Sequence, residues 1–188
     1  MTKQRIATCI FLLLTLLFCP LSQAEGRASQ SFESCGLITG EYVTVLQLIS
    51  RGFSPESLKK ALPDISPQAK NRVDALARMA SSQGLIDSYS TVYSEYASCA
   101  KRVYDSTGLP PKGTREAHFY RCAGENKVGY EIALAALIGA DKEEVVNQLQ
   151  PPLQEKAKAL FDKFNAGGRL SLFHFLASEL KHCLSAIP

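Results

Sequence analysis

Phe32-Glu33-Ser34-Cys35 and, 87 positions on, Phe119-Tyr120-Arg121-Cys122 share the pattern Phe-x-x-Cys, and the likeness continues beyond it. At the same offset Gly52-x-Ser54-x-Glu56 aligns with Gly139-x-Asp141-x-Glu143, in each case a loop glycine followed by a residue type that caps helices. With one residue inserted, Ala69-Lys70 and Asp74 align with Ala157-Lys158 and Asp162. After a loss of four residues Gly84 aligns with Gly168, and Ser94-Glu95-x-x-x-Cys99 aligns with Ser178-Glu179-x-x-x-Cys183. Marker residues kept in order at a long period are the mark of an internal duplication.

The duplication decides the cysteine chemistry. Of six cysteines, Cys9 and Cys19 lie in an N-terminal leader, and Cys35, Cys99, Cys122 and Cys183 remain. Four cysteines permit three pairings, and an even count in an exported chain points to two disulfides. Pairing within copies, Cys35–Cys99 and Cys122–Cys183, is the economical solution.

The leader reads as a signal peptide. Lys3 and Arg5 begin it, Ile6 to Phe18 form its apolar run, and Ser22-Gln23-Ala24 ends it, so cleavage is expected after Ala24. The run is shorter than the roughly 20 residues that cross a bilayer, and no comparable stretch follows. A lipid-anchored alternative would acylate Cys19, but Phe18 is too large for the position before such a cysteine. A periplasmic or secreted protein is expected, with no transmembrane segment after cleavage.

Of 188 residues 46% are hydrophobic and 21% charged, an ordinary globular composition. Without Lys3 and Arg5, 19 basic side chains face 18 acidic ones, spread evenly over the two halves. Nucleic acid selects for clustered Lys and Arg and is therefore not an expected partner.

Each copy reads as about four helices. After Cys35, Tyr42, Val45, Leu46 and Ile49 recur at the spacing of one helical face. The counterpart carries Ile132, Ala133 and Ala136 on that face and Tyr130, Leu134, Leu137 and Ile138 on another, which predicts burial on two sides. Short second helices start at Ser54-Pro55 and at Asp141, the latter with Glu144 as a capping box, and Pro63 and Pro151-Pro152 stop them. Third helices carry Val73, Leu76, Ala77 and Ala80, and Ala157, Leu160, Phe161 and Phe164; Gly84 and Gly167-Gly168 end them. Fourth helices carry Tyr89, Val92, Tyr93, Tyr96 and Val103, and Phe173, Leu176, Ala177, Leu180 and Leu184. The cysteines share these last seams and should face the core. The expected fold is all-α: a signal peptide over 1–24, two tandem disulfide-tethered helical repeats over 25–104 and 116–188, and a linker over 105–115 that holds Gly108, Pro110-Pro111 and Gly113.

Catalytic signatures are absent. There is no G-x-S-x-G, H-E-x-x-H, Walker loop or C-x-x-C, so no catalytic residue, metal or cofactor is expected. His118 and Cys122, four apart, would suit zinc only if Cys122 were free. His182 beside Cys183 reads as a surface histidine near a helix C-terminus. Glu95 and Glu179 occur in both copies near the core seam, where a structural role outweighs a paired-carboxylate one; Asp74 and Asp162 read the same way.

Two places are candidate partner-binding surfaces. One is the stripe Tyr89, Tyr93 and Tyr96, opposite Phe173, Ala177 and Leu180, although core packing explains it as well. The other is the connection from Asp105 to His118, long for a link between helices. By elimination, the expected function is non-enzymatic binding of another protein, as an inhibitor, an immunity-type protector or an assembly factor. A carrier of a lipid or other apolar ligand is the alternative, and a cell-envelope hydrolase using Glu95 or Glu179 is the third reading.

Overall fold

The computed structural model describes residues 30–61 and 66–186, and every described element is helical. In chain order these are α1 (Phe32–Ser50), α2 (Pro55–Ala61), α3 (Pro67–Gln83), α4 (Leu85–Thr107), α5 (Arg115–Leu137), α6 (Lys142–Gln148) and α7 (Pro151–Ser185). The leader and Pro63 lie outside the described residues. Among the described residues no helix is long and apolar enough to cross a membrane.

Capping side chains start α1, α2, α3, α5 and α6. The Ser31 hydroxyl accepts from the Ser34 N–H at 3.0 Å while the Ser31 N–H donates to the Ser34 hydroxyl at 2.9 Å, a reciprocal box. Ser54, Ser66, Thr114 and Asp141 each accept a backbone N–H three residues on, at 3.1, 3.1, 3.2 and 2.8 Å. The connection between α4 and α5 is shorter than 105–115, because α4 runs through Thr107 and Thr114 starts α5 at Arg115.

Glycines divide the third helix from the fourth in both halves. Gly84 (φ 86°, ψ 163°) separates α3 from α4, and Gly168 (φ 68°, ψ −165°) breaks α7 between 151–167 and 169–185. This backbone region is nearly exclusive to glycine, and a side chain there costs about 1–3 kcal/mol. A Cβ at Gly168 would meet nothing within 4 Å, so the cost of Gly168→Ala comes from the backbone alone. Chemical denaturation of Gly168→Ala should show a loss of about 2 kcal/mol; no loss would mean that the break is not imposed by this residue.

The disulfides join Cys35 to Cys99 and Cys122 to Cys183, with sequence separations of 64 and 61. Two such bonds belong to a chain that matures in an oxidising compartment. The first fastens the start of α1 to α4, and the second fastens α5 to the end of α7.

One core runs through both halves. α1 packs against α3, α4, α5 and α7, so its burial extends beyond the single expected face; Cys35, Thr39, Val43, Leu46 and Gln47 are all buried, while Leu37 and Ile38 stay exposed. α5 lies against α7, α1 and α4, while α2 and α6 flank α3 and α7. Phe173 stacks on Tyr89 at 5.5 Å and on Tyr93 at 6.0 Å, joining α7 to α4 across the two halves. Gly36 permits α1 to sit this deep, since a Cβ there would lie 2.9 Å from both Leu184 and Phe119. The expected second buried face of α5 is not formed throughout: Leu134 is 37% and Ile138, just past the helix end, 83% exposed.

Candidate functional site

Tyr89, Tyr93 and Tyr96 are 0%, 1% and 1% exposed, which removes them as a partner-binding surface. They fill the seam of α4 that faces the rest of the core, and burial pushes all three phenols well above their ordinary pKa. His118 is buried as well, with its Nε2 2.9 Å from the Cys183 carbonyl oxygen, and it too has no surface to offer. Tyr89 and Tyr93 stack on Phe173, so these tyrosines serve core packing.

Glu95 and Glu179 are exposed, not tucked against the seam as expected. Asp74 and Asp162 are held by lysines of the short helices, Lys59–Asp74 at 2.6 Å and Lys142–Asp162 at 2.7 Å. The start of α5 is tied to the start of α1. The Glu116 carboxylate accepts the Phe32 N–H at 2.8 Å, and Arg115 donates two bonds to Glu33, each 2.7 Å. Within the 105–118 connection Leu109 is 66% exposed.

A polar knot joins α1 to α7. Lys181 donates to the Gln47 side-chain oxygen at 2.6 Å, and the Gln47 amide donates to the His174 carbonyl oxygen at 3.3 Å. Ser50 donates its hydroxyl proton to the Gln47 carbonyl oxygen at 2.7 Å, so the His174 Nε2–H donates to Ser50 Oγ at 3.0 Å. A serine that accepts from histidine is not activated by it, and the pair is a structural tie. Burial first, then the Arg51 and Lys181 cations, hold the His174 ring below its ordinary pKa. The unfolded chain therefore binds this proton more readily. The stability it contributes is full above the unfolded value near about 6.5 and is lost as the pH falls toward the folded value. His174→Gln should flatten that slope below about pH 6.5; an unchanged slope in acid denaturation would assign the effect to other groups.

The surface carries a groove between α4 and α5 that the sequence reading did not find. Ala97, Ala100, Ala123 and Gly124 form its floor, and its volume is about 410 Å³. Tyr104 and Tyr120 wall it, stacked at 6.1 Å, and Tyr120 is braced edge-on against Phe32 at 5.0 Å. Lys101 and Lys127 border it, each paired with an acid four residues on, Asp105 and Glu131. Helical spacing creates the site: Ala97, Ala100 and Tyr104 share a face of α4, and Tyr120, Ala123, Gly124 and Lys127 share a face of α5. Small side chains leave the depression, while Tyr104, 43% exposed, supplies amphipathic contact area. A second apolar groove, of about 400 Å³, is lined by Leu37, Leu48, Leu58, Val73 and Leu184.

No protein-family model matches the chain, and no curated protein or solved structure shows a significant likeness to it.

Proposed function

We propose that this is an exported, non-enzymatic helical protein that binds another protein, laying an amphipathic helix of its partner in the groove between α4 and α5. The observation that carries this reading is an apolar groove with a floor of small residues, flanked by stacked tyrosines, on the outside of a filled core. Helix-in-groove binding uses a depression of this kind, where small residues let the partner approach and aromatic walls supply contact area. This reading covers an inhibitor, an immunity-type protector and an assembly factor. The carrier reading is weaker, because Tyr89, Tyr93 and Phe173 occupy the place between the helices that an enclosed ligand would need.

Export is supported by the leader pattern of residues 1–24 together with the two disulfides. Tandem duplication is supported by the Phe-x-x-Cys pair, by the disulfide within each half and by the matching breaks at Gly84 and Gly168. An experimental structure in which 32–107 and 119–185 fail to superpose would overturn the duplication.

Photo-cross-linking in the source cells tests the function. A cross-linker at exposed Ser98, beside the groove, should capture one polypeptide, whereas one at exposed Glu155 on α7 should not. A Cβ at Gly124 meets nothing within 4 Å, and Gly124→Trp, with circular dichroism matching the wild type as its control, should abolish the capture. Equal capture from both positions, or capture unaffected by Gly124→Trp, would overturn the groove as the binding site. Native mass spectrometry showing a bound organic species of a few hundred daltons instead of a polypeptide would favour the carrier.

A further inference from the structure

The two disulfides have different surroundings. Around Cys122–Cys183 stand a histidine, an arginine and a carboxylate: His118 Nε2 is 3.6 Å from Cys122 Sγ, and a Glu125 carboxylate oxygen is 3.7 Å from Cys183 Sγ. Counting back 87 positions, the residues in place of His118 and Glu125 are Ser31 and Ile38, so the Cys35–Cys99 bond lacks both groups.

We propose that Cys122–Cys183 is a thiol–disulfide exchange site, in which an external dithiol attacks Cys183 Sγ and Cys122 leaves as the thiolate. The proton on His118 is fixed by its neighbour. Arg121 can only donate, and its guanidinium N–H reaches His118 Nδ1 at 3.2 Å, so the ring proton sits on Nε2. That N–H donates to the Cys183 carbonyl oxygen at 2.9 Å, and Cys122 Sγ is its second acceptor. Cys122 is 1% exposed, so a thiolate appearing there has little water to stabilise it and depends on this donor. The Glu125 carboxylate, itself paired with Arg121 at 2.7 Å, disfavours negative charge on Cys183. Cys183 is half-buried and is the sulfur that a reagent can reach.

The electrons balance. The first thiolate of the dithiol forms a bond to Cys183 Sγ, the Cys122–Cys183 bond breaks, and its electron pair passes to Cys122. The second thiolate of the reagent then closes on the first, releasing Cys183 as a thiolate that takes a proton. The dithiol is oxidised to its disulfide, and the protein bond is reduced to a thiol at Cys183 and a thiolate at Cys122 that takes up a proton from solvent to become the second thiol.

The test uses the mature, fully oxidised protein with dithiothreitol at about pH 8, where the reagent is partly ionised. Acid quenching, alkylation and peptide mapping follow each bond in time. Cys122 and Cys183 should become alkylated about tenfold sooner than Cys35 and Cys99, the effect of roughly one hydrogen bond to a charged group. With glutathione, a monothiol, the trapped adduct should sit on Cys183. His118→Phe should slow the opening of this bond about tenfold and leave Cys35–Cys99 at its own rate. Equal rates, prior opening of Cys35–Cys99, or an adduct on Cys122 would overturn the proposal. The wild-type adduct position decides it even where His118→Phe fails to fold.

Discussion

Phe173→Ala is expected to remove about 4 kcal/mol of unfolding free energy, in a single cooperative transition. Phe173 is 0% exposed, and its ring lies nearly parallel to that of Tyr89, 6° apart at 5.5 Å, and to that of Tyr93, 13° apart at 6.0 Å. Truncation loses the transfer free energy of the ring and leaves a cavity that two large stacked side chains cannot easily collapse, together about 3–5 kcal/mol. The cavity would lie between α7 and α4, in the core that both halves share. Urea unfolding checks this by two probes, far-ultraviolet circular dichroism and the fluorescence of the seven tyrosines, which no tryptophan obscures. The two curves should coincide and move together in the variant. Two transitions, with only one displaced by the substitution, would mean that residues 25–104 and 116–188 fold as separate bodies.

Much of this architecture is legible in the sequence because it rests on local periodicity and on marker residues. The spacing of Tyr89, Val92, Tyr93, Tyr96 and Val103, and of Phe173, Leu176, Ala177, Leu180 and Leu184, identifies ten positions that are all buried. The capping serines and Thr114 set helix starts through hydrogen bonds to residues three positions away, and the expected pairing of Cys35 with Cys99 and of Cys122 with Cys183 is the one that forms. What escapes is whatever depends on how helices are arranged in space. α1 has an apparent face along Tyr42, Val45, Leu46 and Ile49, yet four neighbouring helices contact it, and polar Thr39 and Gln47 are buried. Tyrosine is at home in a core or on a surface, so the stripe on α4 could not be assigned by type. The groove is made of alanines and a glycine, which carry almost no hydrophobic pattern, and it exists only because α4 and α5 pack side by side.

Replacing both cysteines of the first staple, Cys35→Ala with Cys99→Ala, should cost about 2–4 kcal/mol. The chain-entropy argument for a separation of 64 residues gives about 4 kcal/mol as the upper figure, and strain released in the native state lowers it. Alanine is the appropriate replacement because Cys35 is 3% exposed, and a serine hydroxyl there would add a desolvation cost unrelated to the cross-link. The native helices should survive. The start of α1 is also held by its own serine box, by the Glu116 carboxylate on the Phe32 N–H and by the paired Glu33 and Arg115. The effect therefore falls mainly on the unfolded chain, which gains freedom and exposes more surface. This makes two expectations for urea unfolding: a lower midpoint and a steeper dependence on denaturant, with the native circular dichroism unchanged. A fall in midpoint without the steeper slope would place the effect in the native packing around α1 and α4. A loss well below about 1 kcal/mol would mean that native strain offsets nearly all of the entropic gain from the bond.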